Sequence, residues 1–160
     1  MAGLSNGVKM QIGLASDHGG FELKEAVKAF LKSIGADPID LGTFSEDSVD
    51  YPDFAAQVAE KVSTGRFERG ILICGTGIGM SIAANKFRGV RAALVNDLYS
   101  SRFSREHTDA NILVMGGRVV GKDVAKEIVR IWLETPFAGG RHQRRLEKIE
   151  ALEKKNFKSD

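Results

Sequence analysis

Five short apolar runs recur along the chain, each separated from the next by a segment whose apolar residues fall at helical spacing, and that alternation leaves few folds open. The runs are Met10–Ala15, Pro38–Leu41, Gly70–Cys74, Val90–Val95 and Ile112–Met115. Between the first two, Leu23, Ala26, Val27, Phe30, Leu31 and Ile34 mark one face of a helix over Phe21–Ile34, with Gly35 as its stop. Asp50-Tyr51-Pro52 opens the next helix, whose buried face is Phe54, Ala55, Val58, Ala59 and Val62. Further helices are expected over Ile78–Phe87, Leu98–Glu106, Val119–Leu133 and Gly140–Lys154. Strands that alternate with helices form a parallel sheet covered on both faces, with right-handed crossovers. The expected class is therefore α/β: a five-stranded, doubly wound parallel sheet in the order 2-1-3-4-5, followed by a C-terminal helix. That last helix has Leu146, Ile149 and Leu152 on one side, a stripe that packs on its own domain or reaches a partner subunit.

A chain of 160 residues with 42% hydrophobic and 28% charged residues is the size and balance of one globular domain, placed here at residues 10–155. Residues 1–9 read as a short disordered leader without the apolar stretch of a secretory signal. No apolar run approaches the roughly 20 residues of a membrane span. A formal charge of +2 is too small to argue for nucleic acid. One cysteine cannot form an internal disulfide, so a cytoplasmic protein is expected.

The most informative stretch is Cys74-Gly75-Thr76-Gly77-Ile78-Gly79-Met80-Ser81, between an apolar strand and a helix. Its glycines allow a sharp turn and close approach of the backbone to a ligand, and N–H groups at the helix start can hold an anion. The stretch has no Lys for a P-loop, and Met80 stands where a dinucleotide fingerprint needs its third Gly. A cysteine-based phosphatase would need an Arg a few residues on, which Gly79, Met80 and Ser81 do not supply. What remains is a thiol at a strand's end facing backbone donors. Such a position favours the thiolate, and a thiolate can remove a proton beside a carbonyl while the N–H groups hold the resulting enediolate.

A second constellation ends strand 1: Ser16-Asp17-His18-Gly19-Gly20. In a 2-1-3-4-5 sheet, strands 1 and 3 are neighbours whose helices leave to opposite faces, and ligands bind at their carboxyl ends. Asp17 and His18 would then share a crevice with the glycine loop. His107 falls between helix 4 and strand 5, near the same end of the sheet in some layouts. Arg141 and Arg145, four apart, share a helix face, and two adjacent guanidinium groups suit a phosphate. The three histidines, His18, His107 and His142, lack the spacing of a zinc site, so neither metal nor cofactor is expected.

The chain resembles the ribose-5-phosphate isomerase B family of sugar-phosphate isomerases from about Met10 to Ile149. The resemblance rests on Ala15-Ser16-Asp17-His18, Asp50-Tyr51-Pro52, Ile73-Cys74-Gly75-Thr76-Gly77-Ile78-Gly79, Ser81-Ile82-Ala83-Ala84-Asn85-Lys86, Asn111-Ile112-Leu113 and Gly139-Gly140-Arg141-His142. It implies a Rossmann-like α/β/α domain, assembled as a homodimer or dimer of dimers with the active site at the subunit interface. It implies interconversion of ribose 5-phosphate and ribulose 5-phosphate, a step of the pentose phosphate pathway. By this resemblance Cys74 is the base between C1 and C2, the loop Gly75–Gly79 is the anion hole with Thr76 assisting, and Asp17 contacts the sugar hydroxyls. His107 helps open the furanose, acting across the interface, and His18, Arg118, Arg141 and Arg145 hold the phosphate. Family members often carry Asn after that histidine, where this chain has Thr108. Some relatives use a Glu of the following loop as the base, and Met80 and Ser81 offer no carboxylate. Isomerisation of a six-carbon sugar phosphate, such as allose 6-phosphate or galactose 6-phosphate, and non-catalytic sugar-phosphate binding are the alternatives.

Overall fold

The structure, a computed structural model, describes residues 9–158; most of the expected leader lies outside the described residues. Five strands form one parallel sheet: β1 (Gln11–Ser16), β2 (Asp37–Asp40), β3 (Arg69–Cys74), β4 (Ala92–Leu94) and β5 (Ile112–Gly116). Six helices accompany them: α1 (Phe21–Ser33), α2 (Tyr51–Ser63), α3 (Ile78–Ala84), α4 (Leu98–Glu106), α5 (Lys122–Glu134) and α6 (Arg141–Asn156). The architecture is the expected α/β class. No helix among the described residues is long and apolar enough to cross a membrane.

The strand order is β2-β1-β3-β5-β4, so the last two strands are exchanged relative to the 2-1-3-4-5 expectation. Burial explains the exchange. Every residue of β5 (Ile-Leu-Val-Met-Gly) is buried, which requires a neighbour on each side. β4 is three residues long, its burial falling from half-buried to exposed, and it pairs with β5 at the sheet's edge. The exchange leaves the β1–β3 adjacency intact, with Leu14 opposite Ile71 and Ser16 opposite Ile73.

Alternation along β3 divides the core. Ile71 and Ile73 join Leu23, Val27 and Leu31 of α1 and Ile128, Val129 and Trp132 of α5. Leu72 and Cys74 face the other way, among Ala55, Val58 and Val62 of α2 and Met80 and Ala84 of α3. Burying each such aliphatic side chain stabilises the fold by about 1.5–3 kcal/mol. Several helix boundaries depart from the expected ones by one to three residues, and the two largest departures have local reasons. α3 stops at Ala84 because the Asn85 side chain bonds both the N–H and the carbonyl of Ala92, turning the chain towards β4. α5 starts at Lys122 because residues 117–120 fold back on the loops beside them, with Arg118 N–H on the Gly75 carbonyl at 3.0 Å.

Candidate active site

Three loops meet at the carboxyl ends of β1, β3 and β5, and backbone contact fixes them. Asp17 N–H donates to the Ile73 carbonyl at 3.2 Å, and Gly117 N–H to the Cys74 carbonyl at 2.8 Å. The Asp17 carboxylate caps the following 3-10 turn, accepting from Gly20 N–H at 3.1 Å. The approach demands glycine: a Cβ on Gly20 would sit 2.4 Å from the Ile73 carbonyl oxygen.

Cys74 ends β3 with its side chain on the α2–α3 face, 4% exposed. The chain then reverses through Gly77, whose φ of 83° lies in the left-handed region that a side chain disfavours. That turn brings Gly77 N–H to 3.1 Å from Cys74 Sγ, a donor aimed at the sulfur. Ile78 N–H donates to Thr76 Oγ1 at 3.3 Å, and Thr76 and Ile78 are exposed at the mouth of the loop. Gly75 lies beside Arg118, since a Cβ there would sit 3.4 Å from Nη1. Arg118 is itself exposed. Asp17, His18, Cys74, the Gly75–Gly79 loop and Arg118 are thus gathered at one end of the sheet.

Two features there escaped the sequence reading. His18 Nδ1 accepts from Val49 N–H at 3.2 Å, which leaves Nε2 as the protonated nitrogen of the neutral ring. The Tyr51 ring lies against the glycine loop, so close that a Cβ on Gly79 would fall 2.5 Å from its Cζ. The sequence signal for Tyr51 was its place in Asp50-Tyr51-Pro52, read as a helix start.

His107 is not at this end. α4 carries the chain from the carboxyl end of β4 back to the amino end of β5, and His107 is its C-cap. Thr108 is beside it, its carbonyl held by Arg91 Nε at 3.1 Å, just ahead of β4. Of the layouts left open for His107, the structure takes the one that sets it at the far end: the length of β5, about 16 Å at ~3.3 Å per residue, separates the two ends. A helix following a parallel strand must return to the amino end before the next strand can begin. Arg141 and Arg145 belong with His107. They open α6, both exposed, and the intervening His142 stacks on His107 with ring centroids 4.1 Å apart. Burial, then the charges of His107, Arg141 and Arg145, hold the His142 imidazole below the usual histidine value, with Glu106 pulling the other way. The Thr108 hydroxyl donates to the Ser104 carbonyl at 2.5 Å, so only its lone pairs remain for a ligand. No group of three His, Cys, Asp or Glu side chains suited to a metal occurs among the described residues.

Two sets of candidate residues therefore stand at opposite ends of the sheet. The first has a buried thiol, a carboxylate and backbone donors; the second has an imidazole and two guanidinium groups. A family model described as Ribose/Galactose Isomerase matches residues 12–149. Ribose-5-phosphate isomerase B of Escherichia coli is 50% identical over 145 residues, covering 91% of this chain and 97% of that protein. Among solved structures, ribose-5-phosphate isomerase B of Clostridium thermocellum superposes with a TM-score of 0.90 at 56% identity, covering 91% of this chain and 99% of the other. The Mycoplasma genitalium ribose-5-phosphate isomerase B with bound ribulose-5-phosphate gives 0.89 at 42% identity, covering 94% and 100%. With a matched segment that runs from β1 into α6 and half the residues shared with such relatives, this chain belongs to the ribose/galactose isomerase family.

Proposed function

We propose that this chain interconverts D-ribose 5-phosphate and D-ribulose 5-phosphate through an enediolate, without metal or cofactor, in a homodimer or dimer of dimers. The observation that carries the reading is the buried Cys74 sulfur at the end of β3 with Gly77 N–H at 3.1 Å. The sulfur sits at the strand end beside the glycine loop, with a backbone donor aimed at it, where a base for the sugar's C1 and C2 is needed. His107 removes the O1 proton of the furanose, the bond from C1 to the ring oxygen breaks, and the proton passes from His107 to that oxygen. Cys74 then takes the C2 proton, and the electron pair forms the C1–C2 double bond with the negative charge on O1. Thr76 and the N–H groups of Gly75–Gly79 hold that charge. The O2 proton passes to O1, and the Cys74 thiol returns its proton to C1, giving the ketose.

Asp17 holds sugar hydroxyls, and His18, with Nδ1 occupied by Val49, offers Nε2–H to the phosphate end. Arg118, Arg141 and Arg145 complete the phosphate site, and Thr108 offers its lone pairs beside His107. Because His107, Thr108, Arg141 and Arg145 lie at the far end of the sheet from Cys74, the reading requires a second subunit to bring its far end to this loop. The names of the relatives support the reaction, and the bound ribulose-5-phosphate of the Mycoplasma genitalium protein supports the substrate.

The test is turnover on ribose 5-phosphate and allose 6-phosphate with Cys74→Ala as control. Turnover on ribose 5-phosphate is expected to exceed that on allose 6-phosphate, and the variant to lose about 100-fold or more in kcat, the scale of a general base. Substrate affinity stays within a few-fold. Undiminished turnover in Cys74→Ala would remove the base assignment. Binding without turnover by the unaltered protein would make it a sugar-phosphate binder.

A further inference from the structure

His107 is one step in a series of rings. Tyr99, Phe103 and His107 recur at four-residue intervals on α4, with centroids 4.5 Å apart for the first pair and 4.6 Å for the second. The series ends on His142 of α6, 4.1 Å from His107 with 13° between the ring planes. Of these pairs the last is the closest and the most nearly parallel. His142 is 8% exposed, although Arg141 and Gln143 on either side of it are exposed. Backbone bonds hold the arrangement: Ala138 N–H donates to the Glu106 carbonyl and His142 N–H to the Gly139 carbonyl, both at 3.0 Å. The start of α6 is thereby fastened to the last turn of α4.

We infer that His142 is a positioning residue for His107, its flat ring setting the plane in which the His107 imidazole meets the O1 hydroxyl and ring oxygen of the furanose. The inference rests on the isomerase reading above. Two stacked imidazoles cannot both carry charge without mutual repulsion. Burial first, then His107 from α4 and Arg141 and Arg145 from α6, disfavour the His142 cation, and Glu106 favours it. His142 is thus a flat platform whose surroundings disfavour a cation against the face of His107.

Two reactions separate this role from a general one. Ribulose 5-phosphate has its O5 esterified and stays open-chain, so exchange of its C1 hydrogen with D2O needs the Cys74 base and no ring opening. His142→Leu keeps an apolar side chain in the slot but removes the flat ring; His142→Phe keeps the ring. The expected result is a loss of about tenfold or more in kcat on ribose 5-phosphate for His142→Leu, the scale of a misplaced catalytic group. Its C1 exchange should stay within about twofold, and His142→Phe should recover most of the ribose 5-phosphate turnover. Equal losses in both reactions, or undiminished isomerisation by His142→Leu, would overturn the inference. If His142→Leu does not fold, His142→Phe decides, because a tenfold loss there also overturns it. Unaltered protein that neither isomerises nor exchanges would instead remove the isomerase reading itself.

Discussion

The carboxyl end of the sheet is locked by backbone against backbone, whereas at the amino end stacked rings join a few backbone hydrogen bonds in holding α6 to α4. Around Cys74, three loops lock through main-chain hydrogen bonds and glycine contacts too close for any side chain. Around His107, the contacts are stacked rings, while Arg141 and Arg145 stand exposed in solvent. The difference fits the tasks proposed for each end: proton transfer between C1 and C2, with His18 and Arg118 beside it, at the carboxyl end, and ring opening by His107 with the Arg141 and Arg145 share of the phosphate grip at the amino end. A base and an oxyanion hole act within tenths of an ångström of the reacting atoms and gain from a frame that cannot relax. A grip on a dianionic phosphate tolerates side chains that close on the ligand as it arrives.

If the two ends serve one site across two subunits, subunits should complement each other. Cys74→Ala and His107→Asn each disable every site of a homodimer. When the two variants are refolded together, random pairing in a two-fold dimer restores one complete site in half of the dimers, so about a quarter of the original activity returns. That rise from near zero is the largest effect expected here. A mixture as inactive as its components would break the comparison, because both ends would then serve the site within each chain or serve different sites.

Stability should divide the ends next. Gly20→Ala places a methyl 2.4 Å from the Ile73 carbonyl oxygen, and the obstacle is backbone, which cannot swing aside. A loss of about 3 kcal/mol is expected, at the upper range for overpacking, read as a lower midpoint in urea. Arg145→Ala, on an exposed face, should change stability by no more than about 0.5 kcal/mol. Equal losses would mean that the amino end is as rigidly built as the carboxyl end.

How far the sequence revealed these two ends differs for physical reasons. The glycine loop was legible because its chemistry is local: a thiol, alternating glycines and the end of an apolar run lie within a few residues. Asp17 and His18 joined it through topology, since the β1–β3 adjacency follows from the βαβ pattern. The order of β4 and β5 was misjudged because Val90–Val95 looks like a strand as long as the others, whereas only Ala92–Leu94 pairs, at the edge. The far-end position of His107 follows from chain direction alone, because α4 must return before β5 begins. The Tyr51 ring on Gly79 and the Val49 N–H on His18 depend on how separate segments pack, which no local pattern encodes.

The smallest of these effects concerns the phosphate grip. Arg141→Ala should raise KM for ribose 5-phosphate by about tenfold or more, since a charge-assisted hydrogen bond is worth roughly 1.5–3 kcal/mol. It should leave kcat within a few-fold, because the reacting carbons lie at the other end of the sugar. Arg141→Lys restores charge without the planar fork, so it should recover part of the affinity and no more. The decisive comparison is with unphosphorylated ribose. The unaltered protein should use it poorly, and Arg141→Ala should narrow the gap by weakening the phosphate substrate alone. Loss of turnover on both sugars together would move Arg141 from the phosphate grip to the reacting end and sharpen the division between the two ends in a new place. Raised salt should imitate the arginine loss in the unaltered protein, because exposed guanidinium groups are screened within about 10 Å at 0.1 M ionic strength. The buried thiol should feel that salt far less, so KM would rise while kcat held.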